Sequence, residues 1–422
     1  MENQAERNQE KDQSGKDQIE RDYKIKKYLQ KFKGTTNEEK IKLYSRKISF
    51  YQMAGGSLMK PRKKSNAKYD GLIAAGYGQL KKHTKLEPLV IERREPGKLD
   101  VLVQIENCGI CHSDWHSIKG EWSASIPLVP GHEISGRVVQ VGSSVKNFKA
   151  GDRVGIGPYV NSCRICSMCK SGQEQRCLNG SSPTYDGFER KPNEIGLDVE
   201  PSGGPTYGGF SNLITVNKDF VFGIPPNIPL DLAAPLLCAG ITTYSPLKAA
   251  GTGPKSRVGV AGIGGLGHMA VKLARAMGAH VVALTHTKWK LADSLKIGAN
   301  ESFLMSGSVF PNDLDLIIDT IPKVHDLNPY IQMLGMNGTL VIVGVFEKLD
   351  FDMNLLAAKN RSIKGSIIGG IPEINQMLKF CSEHKIYPEI EKIAPSDINQ
   401  TYQRMIRSDV RYRFVIDMAG KL

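Results

Sequence analysis

The sequence predicts an α/β protein of two domains, one a doubly wound parallel sheet and the other irregular and β-rich. Three observations carry that expectation. A chain of 422 residues exceeds what one hydrophobic core usually supports. Between residues 257 and 370 the apolar runs "RVGVAG", "HVVAL", "DLIIDT" and "GTLVIVGV" are separated by helical segments such as "GHMAVKLARAMG". Strands buried on both faces read as continuous apolar runs, so this alternation indicates a parallel sheet wrapped by helices. Upstream, "DVLVQIENCGIC" (100–111), "ISGRVVQVG" (134–142) and "GDRVGIGPYV" (151–160) repeat a strand-and-glycine texture with long loops.

Taken in order, residues 1–68 are rich in Gln, Glu, Lys, Arg, Asn and Ser and read as a solvated, largely disordered extension. Only "RDYKIKKYLQKF" (21–32) could form a short basic amphipathic helix. Residues 1–70 hold 18 Lys/Arg against 10 Asp/Glu, so +8 of the net +13 lies there. The basic signal thus belongs to the extension, and no nucleic-acid partner is expected for the folded body. Glu2, Glu6, Glu10, Asp12 and Asp17 argue against a mitochondrial transit peptide, while an internal start at Met53 or Met59 stays open. No apolar run approaches the ~20 residues of a membrane span, and the N-terminus lacks the apolar stretch of a secretion signal. The expected address is the cytoplasm, where cysteines stay reduced and clustered ones mean metal. The first domain is placed at 69–238 with a cysteine lobe at about 161–180, and the sheet domain at 239–368. The remainder, 369–422, supplies a helix ("QMLKFCSEHKI") and a last strand ("YRFVID") and is expected to return to the first domain.

The glycine motif points to a dinucleotide. A strand, then Gly262-x-Gly264-x-x-Gly267, then a helix and a second strand is the context such a site requires. The first glycine allows the tight turn, the second lets backbone approach a pyrophosphate, and the third lets helix and strand pack closely. The helix N-terminus then faces the anion. After the second strand, NAD sites usually carry an acid for the ribose hydroxyls. Here "ALTHTKWK" offers Thr285, His286, Thr287, Lys288 and Lys290 and no acid. Hydroxyls and cations suit a 2′-phosphate, so NADP(H) is expected over NAD(H).

Four of the eight cysteines fall in "CRICSMCKSGQEQRC", as Cys163-x2-Cys166-x2-Cys169-x7-Cys177. Four thiolates suit tetrahedral zinc; an iron–sulfur cluster also uses four, but the spacing without Cys-Pro fits it less well. A site filled by four thiolates has no vacancy for substrate, which makes it a structural staple. A reacting zinc needs three protein ligands and an open position. Cys108, Cys111, Cys238, Cys381 and the histidines are candidates, with "CGICHSDWH" (108–116) and "PGHEISG" (130–136) reading as ligand-bearing loops. Spacing alone does not choose among them.

The segments "GICHSDWH", "PLVPGHEISGRVVQVG", "CRICSMCKSGQEQRC", "TYGGFS", "APLLCAGITTYSPL", "GVAGIGGLGHMAVKLA", "IKGSIIGGIPE" and "DVRYRFVID" run in order from about residue 70 to 420. In these the chain resembles the zinc-dependent medium-chain dehydrogenases, and within them the cinnamyl alcohol dehydrogenase-like branch. The resemblance implies a GroES-like catalytic domain beside a Rossmann domain, two zinc ions per subunit, a homodimer, and reversible hydride transfer between NADP(H) and a small-molecule alcohol or aldehyde. It implies a catalytic zinc on Cys111, His132 and Cys238, and a structural one on Cys163, Cys166, Cys169 and Cys177. Glu133 is similar to the family's acid close to the metal, and Asp114 to the carboxylate that orients the histidine ligand. Ser113 is similar to the hydroxyl that touches the substrate oxygen, and His116 to the outer histidine of a proton relay. For the cofactor, the resemblance implies His112 and Arg361 near the pyrophosphate and Thr242 on the nicotinamide side. Gly262, Gly264, Gly265, Leu266 and Gly267 would form the glycine loop, and Thr285, His286, Thr287 and Lys290 the adenosine-phosphate loop. Trp115 and Trp122 lie where substrate-pocket residues are expected, which favours an apolar, aromatic pocket. His286 and Trp289 depart from the family's usual loop, and the extension has no counterpart in the family core. The rivals are a zinc-free quinone or enone reductase of the same plan, and a non-catalytic role docking through the basic extension.

Overall fold

The computed structural model describes residues 72–80, 84–122, 124–189, 203–307, 309–344 and 350–419. The N-terminal extension, with its helix expected at 21–32, lies outside the described residues.

The first domain grows from the apolar alternation seen around residue 100. Strands β1 (Leu72–Gly78) and β2 (Glu87–Arg93) pair antiparallel. The long β3 (Asp100–Gly109) runs antiparallel to β4 (Glu133–Val141), which in turn pairs with β5 (Arg153–Ile156). A small ribbon, β6 (Tyr159–Asn161) with β7 (Ser182–Pro183), frames the cysteine lobe. Strands β8 (Leu213–Asn217) and β9 (Phe222–Gly223) join β3 and β5. Val101, Val103, Ile105, Ile134, Val154, Phe210 and Leu213 fill one core between these layers.

The second domain is a parallel sheet of β10 (Arg257–Ala261), β11 (His280–Thr285), β12 (Glu301–Leu304), β13 (Leu314–Asp319), β14 (Leu334–Ile342) and β15 (Ser362–Gly365). Its spatial order, β12-β11-β10-β13-β14-β15, is that of a dinucleotide-binding sheet, with the direction of winding reversing between β10 and β13. The crevice at that reversal opens at the strands' C-terminal ends, where the glycine loop leaves β10. Gly262 turns there with φ +81°, which only glycine adopts freely, and a Cβ on Gly267 would meet the Gly262 carbonyl oxygen at 1.9 Å. The helix Gly265–Ala276 buries Met269, Ala270, Leu273 and Ala274 against the sheet, the spacing of one helical face. The expected fold class, with both domain types, is the observed one.

The C-terminal segment divides. The helix Ile371–Glu383 carries Ile374, Met377, Leu378 and Cys381 at helical spacing and buries them in the same cluster as the Rossmann strands. Only afterwards do β16 (Ile390–Ile393) and β17 (Arg413–Asp417) return to the first domain, β17 pairing antiparallel with β3. That return places the start of β17 between the domains.

Candidate active site

Three loops deliver the central side chains. Cys111 caps the helix His112–Lys119, and Asp114 at the third helical position reaches back to accept its backbone N–H at 2.9 Å. His132 follows Gly131, whose φ of +99° turns the chain into β4. Cys238 sits in a π-helical turn, Leu236–Gly240, a widening of the helix that is frequent at functional sites. The Cys111 and Cys238 sulfurs, a His132 ring nitrogen and a Glu133 carboxylate oxygen all lie within 4.8 Å of one another. His132 Nε2 is 3.3 Å from Cys238 Sγ, and its Nδ1 is 3.1 Å from Asp114 Oδ1. Asp114 also accepts from the Gly131 N–H at 3.1 Å, so one fully buried carboxylate fixes both loops.

Electrostatics favour a cation at this point. The Cys238 thiol hydrogen-bonds Cys111 and, with Arg413 and His132 nearby, holds Cys111 well below the ordinary thiol range despite burial. Burial alone would make His132 less basic, but Asp114 overrides it and raises the imidazole. Burial lifts the Glu133 carboxyl to about 7 although Arg413 pulls the other way.

This set opens into a cleft of about 890 Å³ between the two domains. Ser113, His112, His116 and Trp122 line it from the first domain. Ser113 Oγ is 3.5 Å from Cys111 Sγ, and the His116 ring stacks on Trp122 with centroids 5.0 Å apart. Burial, with Arg413, His116 and Lys290 close by, lowers His112 to about 4 and leaves it neutral. Thr242, Gly262, Gly264, Gly265, Leu266, Thr285, His286, Thr287 and Lys290 line the opposite wall. Gly267 does not line the cleft; it packs behind the turn.

Two expected residues stand elsewhere. Arg361 does not reach the cleft: its guanidinium donates to the carbonyls of Leu334 at 2.7 Å, Leu355 at 2.8 Å and Gln332 at 3.1 Å, pinning the entry to β14. Trp115 is turned to the other side of its helix and packs on Tyr402 with centroids 5.3 Å apart, against the first-domain core. Residues that sequence reasoning missed take up the space. Arg413 opens β17, lines the cleft, pairs with Glu133, and lies where a Cβ on Gly265 would meet its guanidinium at 2.6 Å. The available signal was an arginine opening the strand "RFVID" just ahead of three apolar residues. Glu121 meets His116 Nδ1 because Gly120, with φ +80°, ends the helix and turns the chain back. Tyr185 stands with its ring 5.9 Å from that of His132.

The donor sets fit the groups expected. Zinc–sulfur bonds of about 2.3 Å in a tetrahedron put neighbouring sulfurs ~3.8 Å apart; Cys163 Sγ and Cys169 Sγ are 3.9 Å apart. All four sulfurs of that lobe lie within 4.8 Å of each other. Backbone N–H groups of Cys166, Cys169 and Cys163 point at the sulfurs of Cys163, Cys166 and Cys177 at 3.4, 3.5 and 3.5 Å, which stabilises thiolate charge. In the cleft, a Cβ on Gly264 would have open space ahead of it, room for a ligand to approach the backbone. Thr242 Oγ1 is buried without a hydrogen-bond partner among the described residues, which marks a place for a polar ligand group.

Comparison with known proteins agrees with this geometry. Residues 97–226 match the alcohol dehydrogenase GroES-like domain, and residues 265–383 the zinc-binding dehydrogenase family. The chain is 47% identical over 344 residues to NADP-dependent alcohol dehydrogenase C 1 of Mycolicibacterium smegmatis, covering 79% of this chain and 95% of that one. It is 41% identical over 419 residues to a probable zinc-type alcohol dehydrogenase-like protein of Acanthamoeba polyphaga mimivirus. That match covers 94% of this chain and 98% of the relative, and so reaches into the N-terminal extension. Among solved structures, a cinnamyl alcohol dehydrogenase of Sorghum bicolor superposes with a TM-score of 0.77 at 38% identity, over 83% of this chain and 98% of that one.

Proposed function

Since the chain belongs to the zinc-binding medium-chain alcohol dehydrogenases, we propose that it interconverts aldehydes and primary alcohols with NADP(H), using one zinc in the cleft and another in the four-cysteine lobe. The observation that carries this reading is the convergence of Cys111, His132 and Cys238 on one point of a cleft whose far wall is the glycine loop. Zinc held there supplies Lewis acidity toward the carbonyl oxygen, and the reduced nicotinamide supplies the hydride.

The remaining work falls to the chain's own side chains. Asp114 keeps the His132 ring oriented through Nδ1, so that Nε2 faces the metal position. Ser113 offers its hydroxyl to the substrate oxygen. His116, held at Nδ1 by Glu121, leaves its other nitrogen to carry the proton between the buried oxygen and solvent. Arg413, beside Gly265, offers a cation to the pyrophosphate, while Thr285, Thr287 and Lys290 receive the 2′-phosphate. Trp122, Tyr159, Tyr185 and Ile368 give the substrate end an apolar, partly aromatic wall, which suits cinnamyl-type aldehydes. β15 ends the Rossmann sheet with no further strand paired to it among the described residues, which supports a homodimer made by edge pairing. No helix among the described residues is long and apolar enough to cross a membrane.

The test is direct. Cys111→Ala or His132→Ala is expected to abolish turnover and remove one of two zinc ions while NADPH still binds. Full activity in a variant without cleft zinc would overturn the reading in favour of a zinc-free reductase. A panel from short aliphatic aldehydes to cinnamaldehyde, with NADPH and NADH side by side, reads out the substrate class and the cofactor.

A further inference from the structure

The adenosine end of the cleft holds a cluster that the phosphate loop alone does not account for. His286 stands exposed at the lip, with Nε2 3.2 Å from the Tyr330 hydroxyl. Nearby, His325 Nδ1 lies 2.8 Å from the Lys323 carbonyl oxygen, and its Nε2 lies 3.1 Å from the buried Asp319 carboxylate. The carboxylate beside Nε2 and the carbonyl at Nδ1 both favour the protonated ring. Asp319 and the Lys323 carbonyl raise its basicity against the effect of burial.

His286 therefore sits among cations. His325 and Lys323 face it from the loop after β13, and Lys288 and Lys290 share its own loop. The helix Asn328–Met333 presents only the neutral Tyr330 phenol. Asp319 and Asp326, the acids nearby, act on His325. Partial burial and the charges of His325 and Lys323 make His286 less basic than an ordinary histidine, which favours its neutral form in the free protein.

We propose that His286 takes up a proton when NADP(H) binds, and that it makes the preference for NADP(H) over NAD(H) depend on pH. This rests on the cofactor reading above. The 2′-phosphate brings negative charge up to His286 itself, and NAD(H) does not. With Nε2 turned to Tyr330, Nδ1 is the nitrogen left for the phosphate. The Tyr330 hydroxyl can donate to the neutral ring or accept from the protonated one, so either state keeps its partner. The only transfer is one proton from solvent to the imidazole. A base strengthened in the complex binds its ligand better at low pH, and the gain is lost as pH rises through the complex's value. Each unit of strengthening is worth about tenfold in affinity. The 2′-phosphate has its own ionisation near pH ~6, which acts in the opposite direction. The comparison must therefore be with His286→Gln, which keeps the phosphate's ionisation and loses the imidazole's.

The experiment is calorimetric titration of the zinc-loaded full chain with NADPH and with NADH, between about pH 6 and 9, in two buffers of different ionisation heat. The wild-type chain is expected to take up part of a proton with NADPH near neutral pH and none with NADH. Its NADPH-to-NADH affinity ratio should fall about tenfold more with rising pH than that of His286→Gln. His286→Gln should take up no proton with NADPH, and circular dichroism and melting of the cofactor-free variant check that its fold is intact. NADPH binding without proton uptake, or uptake that survives in His286→Gln, overturns the proposal while leaving NADP(H) as cofactor. Equal affinity for both cofactors at every pH overturns the cofactor reading and this inference together.

Discussion

Arg413 meets Glu133 across 280 positions of sequence, with its Nε 3.2 Å from Oε2 and a terminal nitrogen on Oε1. Both side chains are buried, 3% and 0% exposed, so neither charge has water to fall back on. The pair closes the back of the cleft, because β17 and β4 flank β3 on opposite sides and the two residues open those strands. Removing one member strands the other charge, which typically costs about 3–5 kcal/mol. Glu133→Gln leaves the buried guanidinium, which cannot shed its proton, without its partner and is thus expected to lower unfolding stability by about that amount in denaturant titrations. Glu133→Gln combined with Arg413→Met should recover most of the loss. A single variant as stable as the wild type would show that the pair is not what holds the two strands.

Glu121 gives a kinetic prediction. It is the described partner of His116 Nδ1 and also binds Lys119, which anchors it. If His116 carries the proton, His116→Ala should lower kcat by about 10² or more, the usual range for a lost general acid–base. Glu121→Gln should lower kcat by less, through a looser imidazole, with KM for the aldehyde unchanged in both. Steady-state kinetics separate these outcomes; a rise in KM alone would mean that the pair shapes the pocket instead.

What was legible in the sequence was local. The glycine loop and the four-cysteine lobe are short-range patterns, and strand runs such as "DLIIDT" announce themselves by composition. Cys238 was not legible from spacing, because 106 positions separate it from its neighbour His132 and only the π-helical turn aims it there. That Arg413 and not Arg361 would face the cleft was not legible for a similar reason. Both are arginines beside Rossmann or cleft strands, and what distinguishes them is which carbonyls or carboxylates the fold puts within reach. Arg361 is consumed by backbone oxygens, while β17's pairing with β3 brings Arg413 to the glycine loop. Trp115 misled because adjacent helical residues face different sides, and its neighbours Ser113 and His116 hold the cleft side.

The four-cysteine lobe makes a stability prediction that leads back to the cofactor domain. Glu174, between Cys169 and Cys177, accepts the backbone N–H of Ile371 at 2.9 Å and so caps the helix Ile371–Glu383. Cys166→Ser should lower the zinc content from two to one and reduce melting temperature, with activity falling only as folded protein is lost. Glu174→Ala should cost about 1 kcal/mol, the usual value of a lost helix cap. Hydrogen exchange at residues 371–374 should rise in both variants. Unchanged exchange there after zinc loss would show that the lobe does not support the helix.

His268 predicts how stability depends on pH. Its Nδ1 lies 3.1 Å from the Gly264 carbonyl oxygen, and its Nε2 accepts the Glu389 N–H at 3.2 Å, while its ring stacks on Tyr412 at 5.1 Å. That arrangement uses a neutral ring, donor at one nitrogen and acceptor at the other. Burial, reinforced by Lys272, lowers the imidazole to about 3 in the folded chain. An unfolded histidine titrates near ~6.5, so the unfolded chain binds more protons between these values. The contribution is complete above pH ~6.5 and is lost progressively as pH falls toward the folded value. From pH 7 to 5 the loss should be roughly 2 kcal/mol. His268→Asn keeps a donor for Gly264 and has no such titration, so its urea midpoint should fall less steeply over that range. Zinc release at acid pH affects both proteins alike and cancels in the difference. Parallel pH dependences would mean that His268 accepts a proton without leaving the fold, which contradicts the fixed donor–acceptor pair seen at its two nitrogens.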